Sequence, residues 1–121
     1  MGMPTEGSIG EATIQRRTRE VPTCELSESL AAVKTKLFDD WQICVVIDAS
    51  RIVLGLLDLP LIGDSQGSIE ELMKPAPLTL RPSVLVSEAL ARFEKSHLMF
   101  ALVTKSTGEL MGAVRKIDLA A

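Results

Sequence analysis

The chain has 121 residues, and 13 Lys+Arg against 16 Asp+Glu leave a net charge of −3. Hydrophobic residues make up 46% but aromatics only 3%, with one Trp, three Phe and no Tyr, so the apolar mass is aliphatic. That composition excludes a disordered chain, and it lacks the basic surplus and stacking aromatics of a nucleic-acid binder. Mean hydropathy is +0.24, yet the longest apolar runs, Leu98–Val103 and Ile52–Leu57, are six residues each, far short of the ~20 a spanning helix needs. Residues 1–17 show no apolar core of a secretory signal. A soluble cytoplasmic protein with no membrane and no nucleic-acid partner is the expectation.

In chain order, residues 1–20 read as an N-terminal arm with room for a short helix. Ser8-Ile-Gly-Glu11 has capping-box spacing. Arg16, Arg17 and Arg19 form a basic cluster in turn-like surroundings, expected as a solvated segment. Pro22-Thr-Cys24 is a short extended segment. Ser27 is placed to cap a helix with Leu30, Val33 and Leu37 on one face. Ile43–Ile47 is a buried strand, Asp48-Ala-Ser50 a turn, and Arg51–Leu57 the returning strand. Asp58 suits the N-cap of a following helix that has Pro60 in its first turn.

The second half opens on Ser68-Ile-Glu-Glu71, a capping box that predicts a short helix ended by Pro75 and Pro77. Leu78-Thr79-Leu80 is extended. Ser83 is expected to cap a longer helix with Val86, Leu90, Phe93 and His97 on one face. Leu98–Thr104 and Glu109–Val114 read as a hairpin around Gly108, and a last helix starts at Lys116. Cys24 and Cys44 lack metal or redox spacing and read as buried free thiols.

The two halves repeat. Gly112 falls in the slot of Gly55 and Val86 in the slot of Leu30, and a single inserted residue reconciles the two offsets. A unit of about 50 residues buries too little surface to stand alone. Unit 1 (21–66) and unit 2 (67–121) are therefore expected to share one core. The fold class is α/β (α+β): two tandem βαββα units with pseudo-two-fold symmetry and clefts along their seam.

From about Val21 onward the pattern resembles a CBS-domain pair, the tandem module named after cystathionine β-synthase. The carriers are Ile69-Glu-Glu-Leu-Met73-Lys-Pro75, Pro77-Leu-Thr79-Leu80, Val86-Ser-Glu-Ala89, Ala101-Leu-Val103 and Gly112-Ala-Val-Arg115-Lys-Ile-Asp118-Leu. The resemblance implies a regulatory module that binds an adenosine nucleotide or adenosyl ligand, with no cofactor required. In such pairs the end of the last strand reads Gly, two apolar residues, Thr or Ser, two residues, then Asp. The Asp holds ribose hydroxyls and the Thr or Ser contacts phosphate or ribose.

In unit 2 Gly112 and Asp118 match that pattern, but Arg115 stands in the Thr/Ser place. Arginine there can pair with phosphate, block the cleft or face solvent. In unit 1 Gly55 matches, while Asp58 and Leu61 replace the polar pair, so that half-site is degenerate.

The ligand-binding residues implied are Thr79, Leu80, Phe100, Arg115 and Asp118. Some also have a plain structural role open to them: helix capping for Asp118, and core packing for Phe100. The ligand expected is AMP, ADP, ATP or S-adenosylmethionine. Expected partners are a second copy in a homodimer and a regulated protein. The alternative is a dimerisation or protein-interaction module without a ligand. Catalysis is not expected, since one His and two separated Cys offer no nucleophile–base pair, and no metal site or P-loop is legible.

Overall fold

The computed structural model describes residues 12–120. Unit 1 contains β1 (Thr23–Cys24), α1 (Leu30–Lys34), β2 (Ile43–Ile47), β3 (Val53–Asp58) and α2 (Leu59–Ile62). Unit 2 follows with α3 (Ile69–Leu72), β4 (Thr79–Leu80), α4 (Val86–Ser96), β5 (Phe100–Thr104), β6 (Leu110–Arg115) and α5 (Lys116–Ala120). A 3₁₀ turn at Ile14–Arg17 precedes them. The strands form two sheets of identical plan, ordered β1-β2-β3 and β4-β5-β6. In each, the short first strand runs parallel to the second, and the hairpin is antiparallel.

The repeat is carried into the register. Gly55 lies opposite Val46, and Gly112 lies opposite Val103. Both hairpins shift register at the next pair, between Val46 and Ile47 and between Val103 and Thr104. A bulge in the same place bends both hairpins alike.

All five residues of β2 are buried, because both faces of its sheet are covered. Ile43, Val45 and Ile47 face a shared core with Leu56, Trp41, Leu102, Leu110 and Ala113. Cys44 and Val46 face unit 1's own core with Val33, Leu57 and Ile62. In β5, Leu102 faces the shared core, while Ala101 and Val103 face Phe93 and Leu119 in unit 2. Two-sided burial is why these strands read as unbroken apolar runs rather than alternating ones.

The pseudo-two-fold axis passes between the hairpin tips. Ile52 and Glu109, equivalent positions in the two units, bridge each other. The Val53 amide donates to the Gly108 carbonyl at 3.2 Å, and the Leu110 amide to the Arg51 carbonyl at 2.8 Å.

The segment leading into each unit crosses onto the other. Arg19 exchanges two backbone hydrogen bonds of 2.9 Å with Ala113, and Lys74 exchanges two of 2.8 and 2.9 Å with Leu56. Ile14 is fully buried in unit 2's core, and Ile69 is buried in unit 1's. Ile14 maps onto Ile69 at the same spacing as Arg19 maps onto Lys74. The counterpart of α3 is thus the Ile14–Arg17 turn, and Ser8–Glu11 lies outside the described residues. The arginine cluster is not simply solvated: Arg16 is exposed, while Arg17 and Arg19 reach Asp118.

Two helix starts differ from expectation. Ser29, not Ser27, caps α1, accepting from the Ala32 amide at 3.1 Å. The chain before it is held in a turn by Glu25–Glu28 hydrogen bonds. Leu37 consequently lies beyond the helix. For α4, Ser83 is not the cap, and the helix begins at Val86. Ser83 lies in a turn closed by the Val84 amide on the Arg81 carbonyl, and the Val86 amide donates to the Ala12 carbonyl at 3.0 Å. Backbone from the arm takes over the capping that a serine side chain would provide. Ser68 and Glu71 form the expected capping box, and Asp58 caps α2.

The crossing explains both repeat glycines. At Gly112, with φ 152°, an added Cβ would run into the Arg19 carbonyl oxygen. At Gly55 the nearest atom is the flexible Met73 Sδ, at 2.9 Å. Gly112→Ala is expected to lose roughly 3 kcal/mol or more, from strained φ and backbone overlap together. Gly55→Ala is expected to lose clearly less. Urea unfolding of both variants checks this, and equal losses would contradict the crossing as the reason for Gly112.

Candidate functional site

The seam between the units opens two clefts related by the pseudo-symmetry. The first, about 300 Å³, is lined by Glu20 of the arm, by Val21, Pro22, Thr23, Lys36, Phe38 and Arg51 of unit 1, and by Met111 and Gly112 of unit 2. The second, about 520 Å³, is lined by Val53–Gly55 of unit 1 and by Thr79, Arg81, Thr104 and the Ser106–Gly108 turn of unit 2. Each contains the glycine of one unit and the first-strand threonine of the other. Thr23 therefore shares a cleft with Gly112, and Thr79 shares one with Gly55.

Beside the first cleft lies a charged cluster centred on Asp118. None of Asp118, Arg115, Arg17 and Arg19 lines that cleft, but the cluster adjoins its lining along the chain: Arg19 is next to Glu20, Asp39 next to Phe38, and Ala113, the partner of Arg19, next to Gly112. Asp118 sits in the first turn of α5 and its side chain is 13% exposed. Its Oδ2 accepts from Arg115 Nε at 3.1 Å, and Arg19 Nη2 lies 3.7 Å from Oδ1. Arg17 Nη1 donates to the Asp118 backbone carbonyl. Two guanidinium groups thus lie within 3.7 Å of a carboxylate that is largely withdrawn from solvent, and a third holds its backbone. Asp118 does not serve as the helix N-cap, since it lies inside the helix.

Arg115 neither faces bulk solvent nor hangs free in the cleft. Its side chain is 26% exposed. Its Cζ stands 5.0 Å from the centroid of the Trp41 ring, and its Nη1 donates to the Asp39 carbonyl at 3.3 Å. A cation over indole at this range is worth about 1 kcal/mol or more when partly desolvated. Trp41 in turn meets Phe100 edge-on, with centroids 6.2 Å apart and planes at 82°. Phe100 is the cross-strand partner of Arg115. Phe100, Arg115 and Asp118 thus stand together. Leu80 is in unit 2's own core at 2% exposure, so its side chain is withdrawn from both clefts.

In unit 1 the equivalent junction is arranged differently. Asp58, the counterpart of Arg115 in the repeat, caps α2 through the Leu61 amide at 3.3 Å and pairs with Lys74 Nζ at 3.4 Å. The two junctions match in one respect: a cation from the crossing segment, Arg19 or Lys74, meets an acid of the opposite unit. Leu61 occupies the place of Asp118 and is exposed. In the second cleft Arg81 Nη1 donates to the Thr104 hydroxyl at 2.8 Å.

Residues that the strand-end pattern does not single out, Thr23, Lys36, Trp41, Arg17 and Arg19, complete the first cleft and its cluster. The repeat offset that maps Thr79 onto Thr23 is the one signal that could have found Thr23. Lys36 is engaged with Glu28 Oε1 at 2.7 Å, which holds the glutamate below its ordinary pKa and raises that of the lysine.

Cys24 and Cys44 lie on neighbouring strands and face the same core. Contact with Cys24, reinforced by burial, pushes the Cys44 thiol far above its ordinary range. Among the described residues no group of three or more His, Cys, Asp or Glu is placed to hold a metal. No helix among them is long and apolar enough to cross a membrane.

The family model of the CBS domain matches residues 69–121. No functionally curated protein matches the chain. Among solved structures, the CBS domains of a transcriptional regulator from Streptococcus pneumoniae are similar at 17% identity. That match has a TM-score of 0.74 and covers 89% of this chain and 96% of that one. CBSX2 in complex with AMP is similar at 18% identity and TM-score 0.74, covering 90% of this chain and 93% of that one. The cytosolic domain of the Mg2+ channel MgtE in complex with ATP is similar at 16% identity and TM-score 0.68, covering 83% and 44%. At these identities the likeness shows the fold.

The thiols offer a direct check of this packing. Neither cysteine should react with a chromogenic thiol reagent at neutral pH while the protein is folded, and both should react at once in denaturant. Rapid reaction of either thiol in the folded protein would contradict the burial of the pair.

Proposed function

We propose that this chain, whose residues 69–121 match the CBS domain, is a CBS-type regulatory module that senses an adenosine-type ligand in the cleft beside Gly112. The observation that carries this is Asp118, an enclosed carboxylate with Arg17, Arg19 and Arg115 around it at the seam of the two units. A ribose presents two hydroxyl donors, which suit a carboxylate. A phosphate presents acceptors, which suit guanidinium forks. A nucleotide would exchange like for like: its diol replaces a guanidinium on Asp118, and its phosphate replaces the carboxylate on an arginine. The chain's net charge of −3 gives no general attraction for an anion, so the local arginines must supply it. The structural likeness to proteins solved with AMP and with ATP supports the same ligand class.

The module acts by binding. The ligand biases the relative placement of the units, or of two chains, through different affinity for two arrangements. We assign it no bond-making chemistry and place it in the cytoplasm, with a regulated protein as its further partner. Calorimetry with AMP, ADP, ATP and S-adenosylmethionine tests the ligand, and absence of heat from all four at millimolar concentration would end this proposal. Asp118→Ala should cost about 1.5–3 kcal/mol of binding, tenfold or more in Kd. An unchanged Kd would remove Asp118 from the site.

A second reading, association through apolar surface, is favoured by three exposed residues at the ends of the units. Leu61 is 72% exposed, Met99 65% and Ile117 69%. Met99 and Ile117 are neighbours, since the Lys116 amide donates to the Met99 carbonyl. Burying such side chains would stabilise a homodimer by roughly 1.5–3 kcal/mol each. Light scattering at micromolar concentration should give twice the 13.1 kDa chain mass, and Ile117→Ser should shift it toward monomer. A monomer for the unaltered protein would contradict dimerisation.

A further inference from the structure

Arg115 is the point at which both units and the arm meet. It belongs to β6 of unit 2, and it holds Asp118, which Arg19 and Arg17 of the arm also hold. With the other edge of the same guanidinium it grips unit 1, through the Asp39 carbonyl at 3.3 Å and the Trp41 face at 5.0 Å. The gripped segment is strained. Asp39 and Asp40 have φ of 53° and 62°, two successive non-glycine residues in the left-handed region, which such residues occupy only when their surroundings hold them there. The segment runs from α1 into β2, and Trp41 anchors it in the shared core against Phe100.

From this geometry we infer that Arg115 is an anion-released latch. It clamps the Phe38–Trp41 segment in the free protein and lets it go when a phosphate group takes the guanidinium. The inference rests on the cluster being the phosphate end of the proposed ligand site, and it adds how occupancy is passed on. The three contacts share one rigid planar group, so a phosphate that draws the guanidinium out toward itself lifts it off the Trp41 face and the Asp39 carbonyl together. Losing them removes the restraint on a strained turn whose last residue packs between the two sheets. The unit–unit packing at Trp41 and Phe100 then shifts with ligand. A ligand without phosphate can occupy Asp118 and leave the latch closed. Arg115 is on this account a positioning residue for unit 1, and the phosphate is the signal it reads.

Trp41 is the only tryptophan and the chain has no tyrosine, so ultraviolet emission reports this latch alone. Full-length protein is titrated with AMP, adenosine and inorganic pyrophosphate at constant ionic strength, with calorimetry on the same samples. AMP and pyrophosphate should shift Trp41 emission to the red, and adenosine should leave it in place. Arg115→Gln should start red-shifted and respond to none of them. Arg115→Lys, which keeps the charge without the planar guanidinium, should start part-way, and circular dichroism confirms that both variants fold. Heat from AMP with unmoved Trp41 emission would overturn the latch and leave the ligand proposal standing. No heat from any adenosine ligand would overturn the ligand proposal, and pyrophosphate then decides the latch: a red shift supports it and a flat titration overturns it.

Discussion

Everything in this molecule depends on two backbone crossings. Arg19 lies across Ala113, and Lys74 lies across Leu56, each through a pair of hydrogen bonds. Each crossing carries an isoleucine into the opposite unit, Ile14 one way and Ile69 the other. Neither unit's core is therefore complete without a piece delivered from the segment that opens the other. A half-domain of about 50 residues cannot close a core alone, and the exchange is how two of them close together. The glycines follow from the same constraint. A strand that another backbone crosses at hydrogen-bonding distance has no room for a side chain facing it, and the Arg19 carbonyl occupies that room at Gly112.

The crossings also build the candidate site. Arg19 is delivered to Asp118 because its backbone is fixed on Ala113, a short way upstream of the carboxylate. Lys74 reaches Asp58 by the equivalent path. The two junctions differ in chemistry. One keeps an enclosed carboxylate among three arginines, and the other uses its acid as a helix cap and exposes Leu61. A pseudo-symmetric fold thus carries two polar junctions of different chemistry.

Much of this is legible in the residues. The strands stand out because two-sided burial leaves unbroken aliphatic runs, and the matched slots of Gly55 and Gly112 define the repeat. Local capping is legible at Ser68–Glu71 and Asp58, but at α1 two nearby serines compete and Ser29 takes the place expected of Ser27. Capping is not legible where the partner is remote: Ser83 is displaced as a cap because the Ala12 carbonyl, far earlier in the chain, takes the Val86 amide. The arm reads as solvated for the same reason, since nothing in Arg17 or Arg19 announces a partner at Asp118. Which cleft a threonine lines depends on how the sheets face each other, so Thr79 can be assigned to the seam but not to a side of it. Arg115 keeps three roles open in sequence, because only Trp41 and Asp39, contributed by the other unit, define its place.

The most direct test of the account is residue-resolved nuclear magnetic resonance of the labelled chain on addition of AMP. The side-chain Nε–H signals of Arg115 and Arg19 and the backbone amide of Asp118 should move first and furthest, followed by the indole N–H of Trp41. Shifts confined to Thr79, Arg81 and Thr104 in the other cleft, or no shifts at all, would contradict the claim that the Asp118 junction is where this molecule reads its ligand.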